Sequence, residues 1–203
     1  MRLILLSTFA AMMLHAESAP PLFFREDFAE SPPATPVTQE HIMNKDLSLI
    51  LYGPGKQGVR KSHHDKPADD PYYVWMGTCE GNCAVALRHT RSAVDLTGDS
   101  KIRWRTRQEG FRRLHLIVKL TDGRYYVSEQ ADGESDNWRV TEIALTSARW
   151  RALDIVKIVE GARANPDLSR VDEVGFTDLM SGGGSRACSR VDWIEVYGKS
   201  VPR

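Results

Sequence analysis

Residues 112–130 read RRLHLIVKLTDGRYYVSEQ and carry the strongest local fold signal in the chain. Every second residue from Leu114 to Leu120 is apolar, which is the pattern of a β-strand with one buried face. The Asp-Gly pair of TDGR (121–124) then leads into a second strand-like run, GRYYVSEQ (123–130). Two alternating runs joined through Asp-Gly predict a β-hairpin.

The rest of the chain alternates short strand-like runs with turn signals. The clearest of these runs are DLSLILYG (46–53), PYYVWMG (71–77), NCAVALRH (82–89), KIRWRTR (101–107), VDEVGFTDL (171–179) and RVDWIEVYG (190–198). Only VKIVEGARA (156–164) suggests a helical period. Many short strands at this spacing predict an all-β fold, an antiparallel β-sandwich or jelly roll, in one domain of residues 17–203. The proline-rich SPPATP (31–36) is interpreted as a surface connection inside that domain.

The first sixteen residues have the pattern of a secretory signal peptide. Arg2 supplies a positive start, residues 3–14 are apolar but too few to span a bilayer comfortably, and Ala16 offers a small residue for cleavage. No cysteine follows to carry a lipid, and no second long apolar stretch occurs. We therefore expect a secreted or periplasmic protein without a membrane anchor.

Charge and cysteine content narrow the class further. The chain has 27 Lys and Arg residues against 27 Asp and Glu residues, and removal of residues 1–16 leaves a formal charge of −1. This balance argues against a nucleic-acid binder. Cys79, Cys83 and Cys188 in an oxidising compartment predict one disulfide and one free thiol. Three pairings are open, and a bridge from Cys188 to Cys79 or Cys83 is the favoured one.

One region is unusually cationic. From Lys101 to Arg124 there are eight Lys and Arg residues against two acids, and alternation puts Arg103 and Arg105 on the same face of one strand. One interpretation is an ordinary solvated face. The other is a surface for an acidic ligand, because arginine donates paired hydrogen bonds to carboxylate or sulfate groups and aromatic rings stack on sugars. The candidate ligand-binding residues are His63, Arg88, Arg103, Arg105, His115 and Tyr126.

The two ends of the domain resemble a known superfamily. FFREDF (23–28) is similar to the opening strand, and RVDWIEVYG (190–198) to the closing strand, of secreted jelly-roll carbohydrate-active proteins. These include the concanavalin A-like laminarinases and alginate lyases and the calcium-containing carbohydrate-binding modules. The resemblance implies a structural Ca²⁺ held by Glu26, Asp27 and Asp192, and oxygen ligands suit that ion. The alternative is that these residues are only acids at strand ends.

Hydrolase motifs do not carry over to this chain. It lacks the E-x-D-x-x-E strand of the laminarinases and the G-x-S-x-G elbow of serine hydrolases. The loop KSHHDKPADDPYY (61–73) contains the residue types of a lyase, because β-elimination needs a base and a group that neutralises a carboxylate. If the protein is an enzyme, His64, Tyr73 and His89 are the catalytic candidates. A polar turn, a ligand-contacting loop and a metal site are the other interpretations.

These observations together predict an exported, monomeric carbohydrate-recognition protein that binds an anionic polysaccharide. A polysaccharide lyase or other glycan-cleaving enzyme using the same surface is the first alternative. An envelope or matrix interaction protein without a sugar site is the second.

Overall fold

The computed structural model describes residues 19–63, 71–180 and 189–203. Within these ranges the chain forms fifteen β-strands and four short 3₁₀ turns. The strands are β1 Leu22–Glu26, β2 Leu47–Tyr52, β3 Arg60–Ser62, β4 Tyr73–Trp75, β5 Ala84–His89, β6 Ser92–Asp95, β7 Lys101–Gln108, β8 Leu114–Leu120, β9 Tyr125–Asp132, β10 Arg139–Ala144, β11 Trp150–Asp154, β12 Val159–Ala164, β13 Val171–Thr177, β14 Ser189–Tyr197 and β15 Lys199–Pro202. The 3₁₀ turns are Gln39–His41, Lys56–Gly58, Leu145–Ser147 and Leu168–Arg170.

Two antiparallel sheets form a β-sandwich, as the sequence predicts. The six-stranded sheet has the order β10-β7-β14-β4-β3, and β1 pairs with the other half of β14. The nine-stranded sheet has the order β12-β11-β9-β8-β13-β5-β2, with β6 and β15 added at one end of β13. Apolar side chains from both sheets fill the space between them, among them Trp104, Leu116 and Phe176. The antiparallel β-sandwich and its jelly-roll class are therefore confirmed.

The hairpin of residues 114–130 forms as predicted. β8 pairs with β9 in antiparallel register, and the Leu120 amide donates to the Arg124 carbonyl at 2.9 Å. Gly123 has φ 91°, a left-handed conformation that favours glycine in such a turn. The helical interpretation of 156–164 is wrong, because residues 159–164 form the edge strand β12 after a turn.

Side chains of β7 alternate as the sequence indicates. Ile102 and Trp104 are fully buried between the sheets, whereas Arg103 and Arg105 lie on the outer face. The cationic strand therefore belongs to the outer surface of the six-stranded sheet.

The cationic region is, however, split between the two sheets. Arg103 and Arg105 lie on β7 of the six-stranded sheet, and His115 lies on β8 of the nine-stranded sheet. The expectation that His115 joins these arginines on one face is wrong, because the connection between β7 and β8 crosses from one sheet to the other. Within the described ranges, no helix has the length and hydropathy needed to cross a bilayer.

The structure pairs Cys79 with Cys83, so the favoured long-range bridge is wrong. The connection between β4 and β5 turns back on itself and brings the two Cα atoms to 6.6 Å, within the usual range for a disulfide. Both cysteines are fully buried. Cys188 lies outside the described residues, as does the predicted signal peptide of residues 1–16.

Candidate functional site

The outer face of the six-stranded sheet carries a groove of about 870 Å³. It runs beside β14, between β1 and the segment that precedes β4. Its walls are formed by Arg25, Asp27, Phe28, Ala29, Glu30, Met43, Pro71, Tyr72, Arg105, Asp192 and Trp193. Its volume lies in the upper part of the range found for small-ligand sites.

A β-bulge in β14 places one of the aromatic residues of the groove, Trp193. The register shifts between Val191 and Trp193, so that Asp192 is the additional residue and Trp193 stands opposite Arg105. Val191 and Ile194 are both buried in the core. Strict alternation from Val191 would turn Trp193 inward, and the bulge instead places Asp192 and Trp193 together on the outer face.

Trp193 contacts two guanidinium groups. The Arg25 Cζ atom is 4.4 Å from the centroid of the Trp193 ring, and the Arg103 Cζ atom is 5.8 Å from it. Glu195 accepts a hydrogen bond from each arginine, at 2.6 Å from Arg25 and 3.0 Å from Arg103. The hydrogen bond to Asp27 raises the pKa of Arg25 above its ordinary value. Two arginines that share Glu195 therefore contact the Trp193 ring.

The cations of this face are paired with carboxylates. Arg105 Nη1 donates to Asp192 Oδ2 at 2.7 Å, and Lys101 pairs with Glu142 at 2.9 Å. Burial raises the pKa of Asp192, and the hydrogen bond from Arg105 opposes that rise. The positive charges of Lys101, Arg103 and Arg105 are thus balanced by acids from β10 and β14. The face presents alternating donors and acceptors rather than a cationic surface.

Lys61 on β3 is a residue that the sequence analysis did not single out. Its side chain is fully buried, and its Nζ atom has no hydrogen-bond partner among the described residues. Nζ lies 4.6 Å from the centroid of the Tyr72 ring, behind the wall of the groove. Burial lowers the pKa of Lys61 to about 8, although the charges of Asp192 and Glu30 oppose this shift. No sequence signal marks this lysine, because its burial depends on β4 and the Tyr72 segment.

The six predicted ligand-binding residues are divided between the sheets. His63 stacks on Tyr72 with ring centroids 4.4 Å apart, so it joins Arg103 and Arg105 on the six-stranded side. Arg88 and His115 lie on the outer face of the nine-stranded sheet. Tyr126 is 5% exposed and packs into the core, so its prediction as a ligand contact is wrong, because β9 turns this residue inward.

The catalytic candidates are not brought together by the described structure. Tyr73 is 1% exposed on β4, where its ring is 5.5 Å from that of Trp138. His89 is on β5 of the other sheet, where burial lowers its pKa and its Nδ1 atom lies 3.1 Å from Ser92 Oγ. His64 lies outside the described residues. The prediction of one catalytic group with Tyr73 and His89 is therefore wrong, because the two residues belong to different sheets.

The predicted calcium ligands each have another partner. Glu26 is fully buried and accepts hydrogen bonds from the amides of Phe28, Met43 and Asn44 at 2.8–3.0 Å. Asp27 pairs with Arg25, and Asp192 with Arg105. Across the described ranges, no group of three or more His, Cys, Asp or Glu residues is placed to hold a metal ion. The calcium site stays a prediction that this arrangement does not support.

Comparisons with known proteins give structural likeness only. No protein-family model matches the chain, and no curated protein matches it. Among solved structures, the family 11 carbohydrate-binding module of a cellulosomal cellulase of Clostridium thermocellum is 16% identical, covers 84% of this chain and 97% of its own, and has a TM-score of 0.47. A family 29 carbohydrate-binding module complexed with mannohexaose is 13% identical, covers 87% and 92%, and also scores 0.47. A conserved carbohydrate esterase from the Shiga toxin-encoding bacteriophage phi24B is 12% identical, covers 83% and 98%, and scores 0.40.

Proposed function

We propose that this protein is a carbohydrate-recognition protein and that the groove beside β14 binds a glycan chain. The observation that carries the proposal is that Trp193 and Tyr72 line one groove of about 870 Å³ together with the paired Arg105 and Asp192. Aromatic rings provide apolar faces for sugar rings, and fixed donors and acceptors around them match sugar hydroxyl groups. Arg25 contacts the Trp193 ring and is itself bonded to Glu195, so the ring has ordered neighbours before a ligand arrives, which lowers the entropy lost on binding.

The pairing of charges favours a neutral glycan. An acidic polysaccharide, which the cationic strand predicts, has to compete with Asp192 and Glu195 for Arg105 and Arg103. A neutral chain uses the same side chains as they stand, with arginine N–H groups donating and carboxylate oxygens accepting. An acidic polysaccharide is the second candidate, because Arg103 and Arg105 keep about a third of their side-chain surface exposed.

Affinity electrophoresis in gels containing one polysaccharide at a time tests this proposal. We expect the parent protein to be retarded by at least one neutral β-glucan or mannan, and Trp193→Ala to lose that retardation. Val156→Ala is the control, because Val156 is an apolar residue that is 76% exposed and lies outside the groove. Equal retardation of the parent and Trp193→Ala in every gel would remove the groove as the glycan site.

The salt dependence of retardation distinguishes neutral glycans from acidic polysaccharides. Contacts between exposed charges weaken as ionic strength rises, whereas stacking and neutral hydrogen bonds are much less affected. We expect retardation by a neutral glycan to persist in 0.5 M salt. Retardation only by a uronic-acid or sulfated polysaccharide, and its loss in salt, would identify the acidic class instead.

We also propose that residues 1–16 direct export of the chain. The Cys79–Cys83 disulfide supports this, because disulfides persist in oxidising compartments outside the cytosol. Fractionation of cells that express the full chain, with detection of a product shortened at its amino terminus, tests the proposal.

A further inference from the structure

A second cavity lies on the opposite side of the molecule from the groove and shares no residue with it. It has a volume of about 430 Å³ and is at the end of the nine-stranded sheet where β13 ends and β5 and β8 begin. Its lining consists of Asn82, Phe111, Arg113, His115, Ile158, Val159, Glu160, Asp178, Leu179 and Met180. The volume is sufficient for a small-molecule ligand.

The shape of this cavity depends on two residues with unusual backbone conformations. Ile158 and Leu179 both have φ 54°, in the left-handed region that residues other than glycine rarely adopt, and Ile158 is β-branched. Asn82 Nδ2 donates to the Ile158 carbonyl at 2.8 Å and so ties the turn before β12 to the end of the sheet. Backbone strain of this kind persists only where surrounding contacts hold it, and it concentrates at functional sites.

The acids of the cavity are already paired. Asp178 is fully buried, pairs with the buried Arg112 and accepts a 3.0 Å hydrogen bond from Ser189 Oγ. Glu160 lies 3.6 Å from Arg151 Nε. Each carboxylate of the cavity thus already faces an arginine.

Arg113, in contrast, is exposed and has no ion pair or hydrogen bond with any described residue, although it lines the cavity. It differs in this from Arg103 and Arg105 in the groove, which are each paired with a carboxylate. A guanidinium group without an internal partner, next to paired acids, favours an anion, and its planar fork matches a carboxylate.

His115 adds a directed polar atom. Its Nδ1 atom is 2.8 Å from the Ser128 carbonyl oxygen, which can only accept, so Nδ1 carries the proton in the neutral ring. No described residue bonds Nε2, which is left as an acceptor for a hydroxyl group on a ligand.

The remaining walls are apolar. Phe111 is 71% exposed and Val159 is 50% exposed, and both line the cavity with Leu179 and Met180. A large aromatic side chain in open solvent at the mouth of a cavity offers a face on which a ligand ring can stack. We propose that this cavity is a second binding site and that it takes a ring compound bearing a carboxylate, with the carboxylate on Arg113 and the ring against Phe111.

Two sources supply that chemistry, a uronic acid sugar and an aromatic acid. Titration calorimetry with ligand-observed NMR would use galacturonate, galactose and phenylacetate as probes. We expect the parent protein to bind galacturonate or phenylacetate at least about tenfold more tightly than galactose, because galactose lacks the charged acceptor. The acid that binds more tightly shows whether the ligand of the cavity is a uronic acid sugar or an aromatic acid.

Single-residue variants show whether the acid binds in this cavity or is only attracted by the charge of the protein surface. Arg113→Gln should weaken binding of the preferred acid about tenfold or more. Arg124→Gln is the matched control at the opposite end of β8, since Arg124 is 66% exposed and lies outside the cavity. Phe111→Ala should weaken binding of the same acid and cannot disturb the core, because Phe111 is mostly in solvent.

The proposal fails if the parent binds neither acid, if Arg113→Gln binds like the parent, or if Arg124→Gln weakens binding equally. None of these outcomes depends on glycan binding in the groove, which Trp193→Ala tests separately.

Discussion

Arg105 and Asp192 are 87 positions apart in the chain, and the arginine Nη1 atom donates a 2.7 Å hydrogen bond to the carboxylate Oδ2 atom. Asp192 is only 8% exposed, and its burial raises its pKa while Arg105 lowers it. The cationic side chains of β7 thus form ion pairs with acids of the same sheet. We therefore expect Arg105 to contribute to the stability of the β14 bulge.

Arg105→Ala should lower the free energy of unfolding by about 1–3 kcal/mol at pH 7, because it leaves a buried carboxylate without its cationic partner. An acid whose pKa is raised in the folded state destabilises the protein as pH rises through that pKa. The loss of stability in Arg105→Ala should therefore shrink as pH falls below 7, because the raised pKa of Asp192 lets it take up a proton at a higher pH than an ordinary aspartate does. Urea unfolding of both proteins at pH 7, 5 and 4 measures this.

Arg124→Ala is the control for that experiment. Arg124 pairs with Asp122, and both side chains are about half exposed or more. Loss of an exposed pair should change stability by less than about 1 kcal/mol. A loss of stability in Arg105→Ala that is the same at all three pH values would contradict the role of Asp192.

The Cys79–Cys83 disulfide leads to a mapping experiment. Trypsin alone leaves both cysteines in one peptide, and a second cleavage after Glu80 separates them. We expect the two fragments to stay joined until reduction and the Cys188 peptide to be alkylated without reduction. Reduction should cost about 2 kcal/mol, since the closed loop is short and constrains the unfolded chain little. A Cys188 peptide joined to either fragment would restore the long-range pairing.

Calcium should leave the melting temperature unchanged. Glu26, Asp27 and Asp192 are each engaged by a donor, so a cation has to displace existing bonds to bind them. Glu26→Gln should lower stability by about 1–3 kcal/mol with or without calcium. The substitution replaces one carboxylate oxygen, which accepts a hydrogen bond from a backbone amide, with an NH₂ group, which can only donate. Thermal melts in chelator and in millimolar calcium measure both effects. A calcium-dependent rise that Glu26→Gln abolishes would re-establish the site.

The sequence correctly predicts the elements whose structure depends on residues close together in the chain. Alternation from Leu114 to Leu120 and the Asp-Gly turn fix the β8–β9 hairpin, because strand faces and turn conformation depend on local side chains. The outward position of Arg103 follows from the same rule.

The elements that the sequence does not predict depend on distant segments. His115 and Arg105 are ten residues apart and lie on different sheets, which alternation within each strand cannot show. Trp193 faces outward only because a bulge against β7 shifts the register. The carboxylates that neutralise Arg103 come from β14 and β10, so charge counted along a short segment overstates the positive charge of the assembled face.

Lys61 is the clearest case of a position decided by tertiary structure. Lys61 stands opposite Val74 in the β3–β4 pairing, and its Nζ atom lies against Tyr72 without a hydrogen bond to any described residue. A buried ammonium group without a hydrogen-bond partner costs free energy whenever it is charged.

Lys61→Met should therefore stabilise the protein at pH 7, by roughly 2–3 kcal/mol for a pKa lowered to about 8. A lysine whose folded-state pKa is depressed stays charged in both states below that pKa. As pH rises through 8 the folded state releases the proton while the unfolded chain keeps it, so the parent gains stability and the advantage of Lys61→Met should largely disappear by pH 10. Unfolding in urea at pH 7, 8.5 and 10 measures this, and Lys56→Met, an exposed lysine of the same connection, should show no such trend. A Lys61→Met protein that is less stable than the parent at pH 7 would mean that the ammonium group has a stabilising contact.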